Sequence, residues 1–98
     1  MKKVYSILDR VSRNYGPLFL CSTDEEAVRV VVQAVNSGES GLSDFPNDYT
    51  LYRVGAFNPS CGVLSSLPNP VLVSDVGNIV NVGSGKIDLP SDESVEQA

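Results

Sequence analysis

Thr23-Asp24-Glu25-Glu26-Ala27-Val28-Arg29-Val30-Val31-Val32-Gln33-Ala34-Val35-Asn36 is the stretch whose reading decides the fold. Ala27, Val28, Val31, Val32 and Val35 recur at i, i+1, i+4, i+5 and i+8, which makes one continuous apolar face on a helix. Arg29, Gln33 and Asn36 point the other way. Thr23 and Glu26 form a capping box, in which the hydroxyl accepts from the N3 amide and the carboxylate reaches back to the cap amide. Asp24, Glu25 and Glu26 place negative charge where the helix dipole favours it. Each valine costs a few tenths of a kcal/mol in helix propensity, roughly, so packing must hold this helix. Ser37-Gly38 ends it, with Gly38 suited to a left-handed position.

Something flat and apolar must receive that face, and the flanking sequence supplies strands. Lys3–Asp9 alternates, with Val4, Ser6 and Leu8 on one side and Tyr5 and Ile7 on the other. Ser12–Pro17 reads as a turn, and Leu18-Phe19-Leu20-Cys21 as a short buried strand. After the helix, residues 39–48 read as a polar loop anchored by Phe45. Tyr49–Phe57 alternates again, with Tyr49, Leu51, Arg53 and Gly55 on one face and Thr50, Tyr52, Val54 and Ala56 on the other. Asn58–Gly62 is a turn, Val63-Leu64 resumes pairing, and Val71-Leu72-Val73 reads as a last, edge strand. Ile79–Val82 continues it after a turn at Asp75–Asn78. The expected fold is α+β, one helix packed on a small, mainly antiparallel sheet, with the strand order left open. Residues 1–82 form the single domain, and 83–98 a flexible acidic tail.

Composition agrees with one globular domain. The 98 residues are 42% apolar and 19% charged, neither the balance of a disordered chain nor that of a membrane span. The basic opening Met1-Lys2-Lys3 is followed by an apolar stretch that Ser6, Asp9 and Arg10 interrupt, which argues against a signal peptide. The net charge is −5. From Lys86 onward one lysine faces Asp88, Asp92, Glu93 and Glu96, so the tail carries −3 and the preceding 85 residues −2. Residues 1–13 carry a local +3, from Lys2, Lys3, Arg10 and Arg13 against Asp9.

Catalytic chemistry finds little to stand on. The chain has no histidine, which removes the commonest general base and every Ser-His-Asp or Cys-His arrangement. The two cysteines read as reduced thiols, Cys21 buried in an apolar run and Cys61 in a loop; without histidine or a paired CxxC they make no zinc site. Gly83-Ser84-Gly85-Lys86 lacks the earlier glycine and the following Ser or Thr of a phosphate loop, since Val80 and Ile87 stand there. It reads as a linker. Asp24, Glu25 and Glu26 are used in capping, and Asp44 and Asp48 lack the spacing of a calcium loop. The expectation is a protein that is not an enzyme and carries no cofactor or metal.

Two binding readings stay open. Lys2, Lys3, Arg10, Arg13 and Arg53 can touch phosphates, while Tyr15 and Tyr52, with Tyr5, can stack on unpaired bases. Alternatively the chain is a DNA-independent interaction or oligomerisation module working through a sheet edge or an apolar patch.

Three segments, taken in order, carry a resemblance. They are Lys3–Asp9, the helix start Ser22–Arg29, and Phe45-Pro46-Asn47-Asp48-Tyr49-Thr50-Leu51-Tyr52-Arg53-Val54-Gly55-Ala56-Phe57. Together they resemble the small nonstructural protein of the gokushovirus branch of the microviruses, phages with circular single-stranded DNA genomes. The resemblance covers residues 3 to about 64, and Asp48-Tyr49-Thr50-Leu51-Tyr52 with Gly55 is its most specific part. It implies a non-enzymatic protein in the cytoplasm of the infected bacterial host, binding single-stranded DNA during genome replication or the switch to packaging. Single-stranded DNA, a second copy of the chain, and a host or phage replication or assembly protein are the partners it leaves in view, with no membrane.

Overall fold

A computed structural model describes residues 1–38 and 41–81. In chain order the elements are β1 (Lys2–Asp9), β2 (Asn14–Tyr15), β3 (Phe19–Cys21), α1 (Asp24–Asn36), a 3₁₀ turn at Pro46–Asp48, β4 (Tyr49–Asn58), β5 (Val63–Asp75) and α2 (Val76–Asn81). The strands form one antiparallel sheet in the order β2-β1-β4-β5, with β3 sharing the β2 side of β1. This is the expected α+β arrangement, a helix on a curled antiparallel sheet.

α1 forms where its capping box starts it. The Thr23 hydroxyl accepts from the Glu26 amide at 3.2 Å, and the Glu26 carboxylate takes the Ser22 amide at 2.8 Å. The carboxylate therefore caps one residue earlier than the motif predicts. Gly38 follows with φ +79°, the left-handed geometry that glycine adopts without a Cβ penalty. Ala27, Val31 and Val32 are buried against Tyr5, Cys21, Leu51, Val76 and Ile79, with Val28 and Val35 half-buried beside them. Burying a valine side chain is worth about 1.5–3 kcal/mol, several times its propensity cost.

The sheet curls at Val54. Val4 lies opposite Gly55 and Tyr5 opposite Arg53, so Val54 has no partner on β1. On the other side Arg53 faces Val71 and Gly55 faces Ser66, so Leu67-Pro68-Asn69-Pro70 is looped out against Val54. The prolines, which cannot donate to a ladder, sit in that bulge. Residue 55 is glycine because a Cβ there would collide with the Ser65 carbonyl oxygen. The bulge also inverts the expected alternation: Tyr49, Leu51 and Arg53 share the helix side, but Gly55 joins Val4 on the opposite face.

Four readings are corrected. Residues 79–81 are helical: α2 inserts Val76 and Ile79, three apart, into the core, and that helical spacing wins over a short strand. Val82 and the tail, including the linker at 83–86, lie outside the described residues. Asn14–Tyr15 pairs with Leu8–Asp9 as a strand within the expected turn. Val63–Leu64 and Val71–Val73 belong to one bulged strand. Phe45 is 62% exposed, and Leu42 and Tyr49 pack the loop against the core in its place.

Candidate nucleic-acid interface

Residues directly opposite one another in an antiparallel pair share a face of the sheet. Tyr5, Ile7 and Leu51 pack with α1, so they mark the covered face. The open face is read from the other rows. Tyr15, Leu8, Thr50 and Asp75 lie side by side across four strands, and Ser6, Tyr52 and Leu72 form the next row. Leu72 is 58% and Tyr15 44% exposed, while the short side chains Ser6 and Thr50 are buried between the larger ones.

Tyr15 and Tyr52 meet on this face. Their ring centroids are 5.7 Å apart with planes at 65°, an edge-to-face pair. The Ser6 hydroxyl donates to the Gly16 carbonyl at 2.8 Å and pins the segment that carries Tyr15. Arg10 reaches the other end of the Tyr15 row from the turn: its guanidinium lies 3.5 Å from the Asp75 carboxylate, which also accepts from the Thr50 hydroxyl at 3.0 Å. Both members of the ion pair are nearly half exposed, so the guanidinium keeps donors free for another anion. Asp75 and Thr50 are the members of the site that sequence reasoning missed. Asp75 read as a turn residue, and nothing local marks it as the partner of Arg10.

The turn beyond β1 is built by Asp9, whose carboxylate accepts from the Val11 amide at 3.0 Å and the Ser12 amide at 3.4 Å. The Arg13 amide closes it onto the Asp9 carbonyl at 2.7 Å. Arg13 has φ +64°, the left-handed conformation. An L-residue pays roughly 1–2 kcal/mol there, which glycine would avoid. The sequence thus keeps a cation at a position whose backbone favours glycine.

The remaining candidates are elsewhere. Lys2 donates to the Ser22 hydroxyl at 2.9 Å, at the far end of β1 from Arg10. Eight strand residues separate them by about 26 Å. Lys3 is half-buried beside Cys21 and Ala56. Arg53 faces the helix side opposite Tyr5, and its Nε is buried without a hydrogen-bond partner among the described residues. Tyr5 is committed to the core: fully buried, it donates to the Asp24 carboxylate at 2.6 Å and stacks on Phe19 with centroids 5.8 Å apart. Burial, then the bond to Asp24, holds its phenol protonated far above the usual tyrosine range. The structure therefore pairs Tyr15 with Tyr52 on the open face, sets Arg10 on Asp75 at one end of that face and places Arg13 in the adjoining turn, while Lys2, Lys3 and Arg53 lie elsewhere.

Cys21 is buried, and its thiol is pushed up by burial and then by Glu26; Cys61 is exposed. Among the described residues no group of three or more Cys, Asp and Glu side chains is placed to hold a metal. No described helix is long and apolar enough to cross a membrane.

No curated protein and no solved structure matches the chain. Residues 2–79 match the family described as Phage ORF5 protein, a span that takes in the whole sheet and α1. The chain belongs to the Phage ORF5 protein family and is a phage protein.

Proposed function

We propose that the chain is an accessory protein of a gokushovirus-type microvirus that binds single-stranded DNA on its open sheet face. The observation that carries this reading is the edge-to-face pair of the exposed Tyr15 and the half-buried Tyr52, on the same sheet face where Arg10 meets Asp75. Unpaired bases stack on aromatic side chains at about 1–3 kcal/mol per base, and an adjacent arginine takes the phosphate. A duplex hides its base faces, so the arrangement selects single strands. The protein acts by binding, without catalysis, in the cytoplasm of the infected bacterium, during genome replication or the switch to packaging.

With Arg10 and Arg13 as the main phosphate contacts, binding is weak and salt-dependent. Two contacts give a slope of about −1.4 in log affinity against log salt. Fluorescence anisotropy of a labelled oligothymidylate at low and moderate salt measures this directly. Absence of binding at low salt rejects the reading.

A further inference from the structure

We propose that the free edge of β5 over Val63–Leu67 pairs antiparallel with the same edge of a second copy of this chain. Among the described residues β5 hydrogen-bonds only to β4, so its outer row of amides and carbonyls has no partner. Edges are usually guarded by charge, by proline or by brevity. The opposite edge of the sheet is guarded by brevity, being broken into the two- and three-residue strands β2 and β3. β5 runs for thirteen residues, and only its last, Asp75, is charged. Its prolines, Pro68 and Pro70, interrupt the middle and leave Val63–Leu67 unguarded.

The occupant is identified by the edge itself. A bare strand edge run antiparallel about a two-fold axis is complementary to itself, as a closed dimer requires. Val63 is 54% and Leu64 60% exposed, and no acidic residue lies in this strip, so two chains of net charge −5 meet there without like charges in contact. Next to the edge, on the open face, an apolar groove of about 320 Å³ is lined by Val4, Leu18, Val54, Leu64 and Ser66. Leu18, at 58% exposed, stands across it from Leu64. Pairing centred on Ser65 sets Leu64 of each copy beside Ser66 of the other, at the mouth of the groove. The two-fold axis is then normal to the sheet. Both open faces point the same way, and two copies of Arg10, Arg13, Tyr15 and Tyr52 lie on one continuous sheet.

The test uses the full chain without DNA, so its outcome is independent of nucleic-acid binding. Sedimentation equilibrium from micromolar to millimolar protein is expected to show a monomer–dimer equilibrium. Ser65→Lys brings two like charges together at the axis and weakens the dimer by about tenfold or more. Leu64→Asp shifts it in the same direction, with circular dichroism and unfolding midpoint unchanged for both variants. A spin label on the exposed Cys61, Cys21 being buried, reports a label-to-label distance of about 20–30 Å, from four strand intervals between the two Val63 residues at 3.3 Å each plus two turn residues on either side. A monomer at every concentration, a dimer indifferent to both substitutions, or a distance far from that range would overturn the pairing.

Discussion

Arg10 and Asp75, from the turn after the first strand and the end of the last, meet at 3.5 Å on the open face of the sheet. The pair is nearly half exposed on both sides, so its own contribution to stability is small, about 0–1 kcal/mol. On the proposed DNA-binding reading its effect on the ligand is larger, because Asp75 partly neutralises the guanidinium and repels a phosphate. Asp75→Asn is expected to tighten binding of an oligothymidylate several-fold, with the unfolding midpoint changed little. Anisotropy titrations of the two proteins in the same buffer make the comparison.

The tyrosines and Arg53 separate two accounts of the site. Tyr15→Ala is expected to weaken oligonucleotide binding by about 1–2 kcal/mol, the worth of one stacked base. Arg53→Gln should leave affinity within about twofold, since that side chain faces α1. The reverse ordering would place the ligand on the helix side.

Arg13 trades stability for charge. Arg13→Gly removes the left-handed penalty at φ +64° and is expected to stabilise the fold by about 0.5–1 kcal/mol in urea. The same variant should bind DNA more weakly and lose about 0.7 from the salt slope.

Tyr5 couples the fold to alkaline pH. Its folded-state pKa is raised above the ordinary tyrosine value of 10, by burial first and by Asp24 second. In the unfolded chain the phenol ionises near pH 10, while the folded protein resists, so its contribution is complete below pH 10 and shrinks as pH rises beyond it. Urea midpoints should fall between about pH 10 and 12 in the parent and fall less in Tyr5→Phe. That variant costs about 1–2 kcal/mol at neutral pH, because Asp24 loses its donor.

Much of the fold was legible because its signals are local. The capping box and valine face define α1, and alternation defines β1 and β4. The bulge at Val54 was not, because the register shift arises between strands. α2 was missed because Val76-Gly77-Asn78-Ile79 is too short to show a helical period and follows a strand. The site was half legible. Tyr15, Tyr52 and Arg10 are surface residue types in the right stretches, but the Tyr15–Tyr52 and Arg10–Asp75 contacts depend on strand order. Tyr52 and Arg53 are neighbours in one strand and therefore point to opposite faces, which excludes Arg53 from a site that includes Tyr52.

Amide chemical-shift mapping with an unlabelled oligothymidylate at low salt tests the central claim most directly. The open-face account predicts shifts at Leu8, Arg10, Arg13, Tyr15, Thr50, Tyr52 and Leu72, with Val28, Val31 and Arg29 on α1 unmoved. Shifts centred on α1 or on Lys2 and Lys3, or none at saturating oligonucleotide, would contradict it.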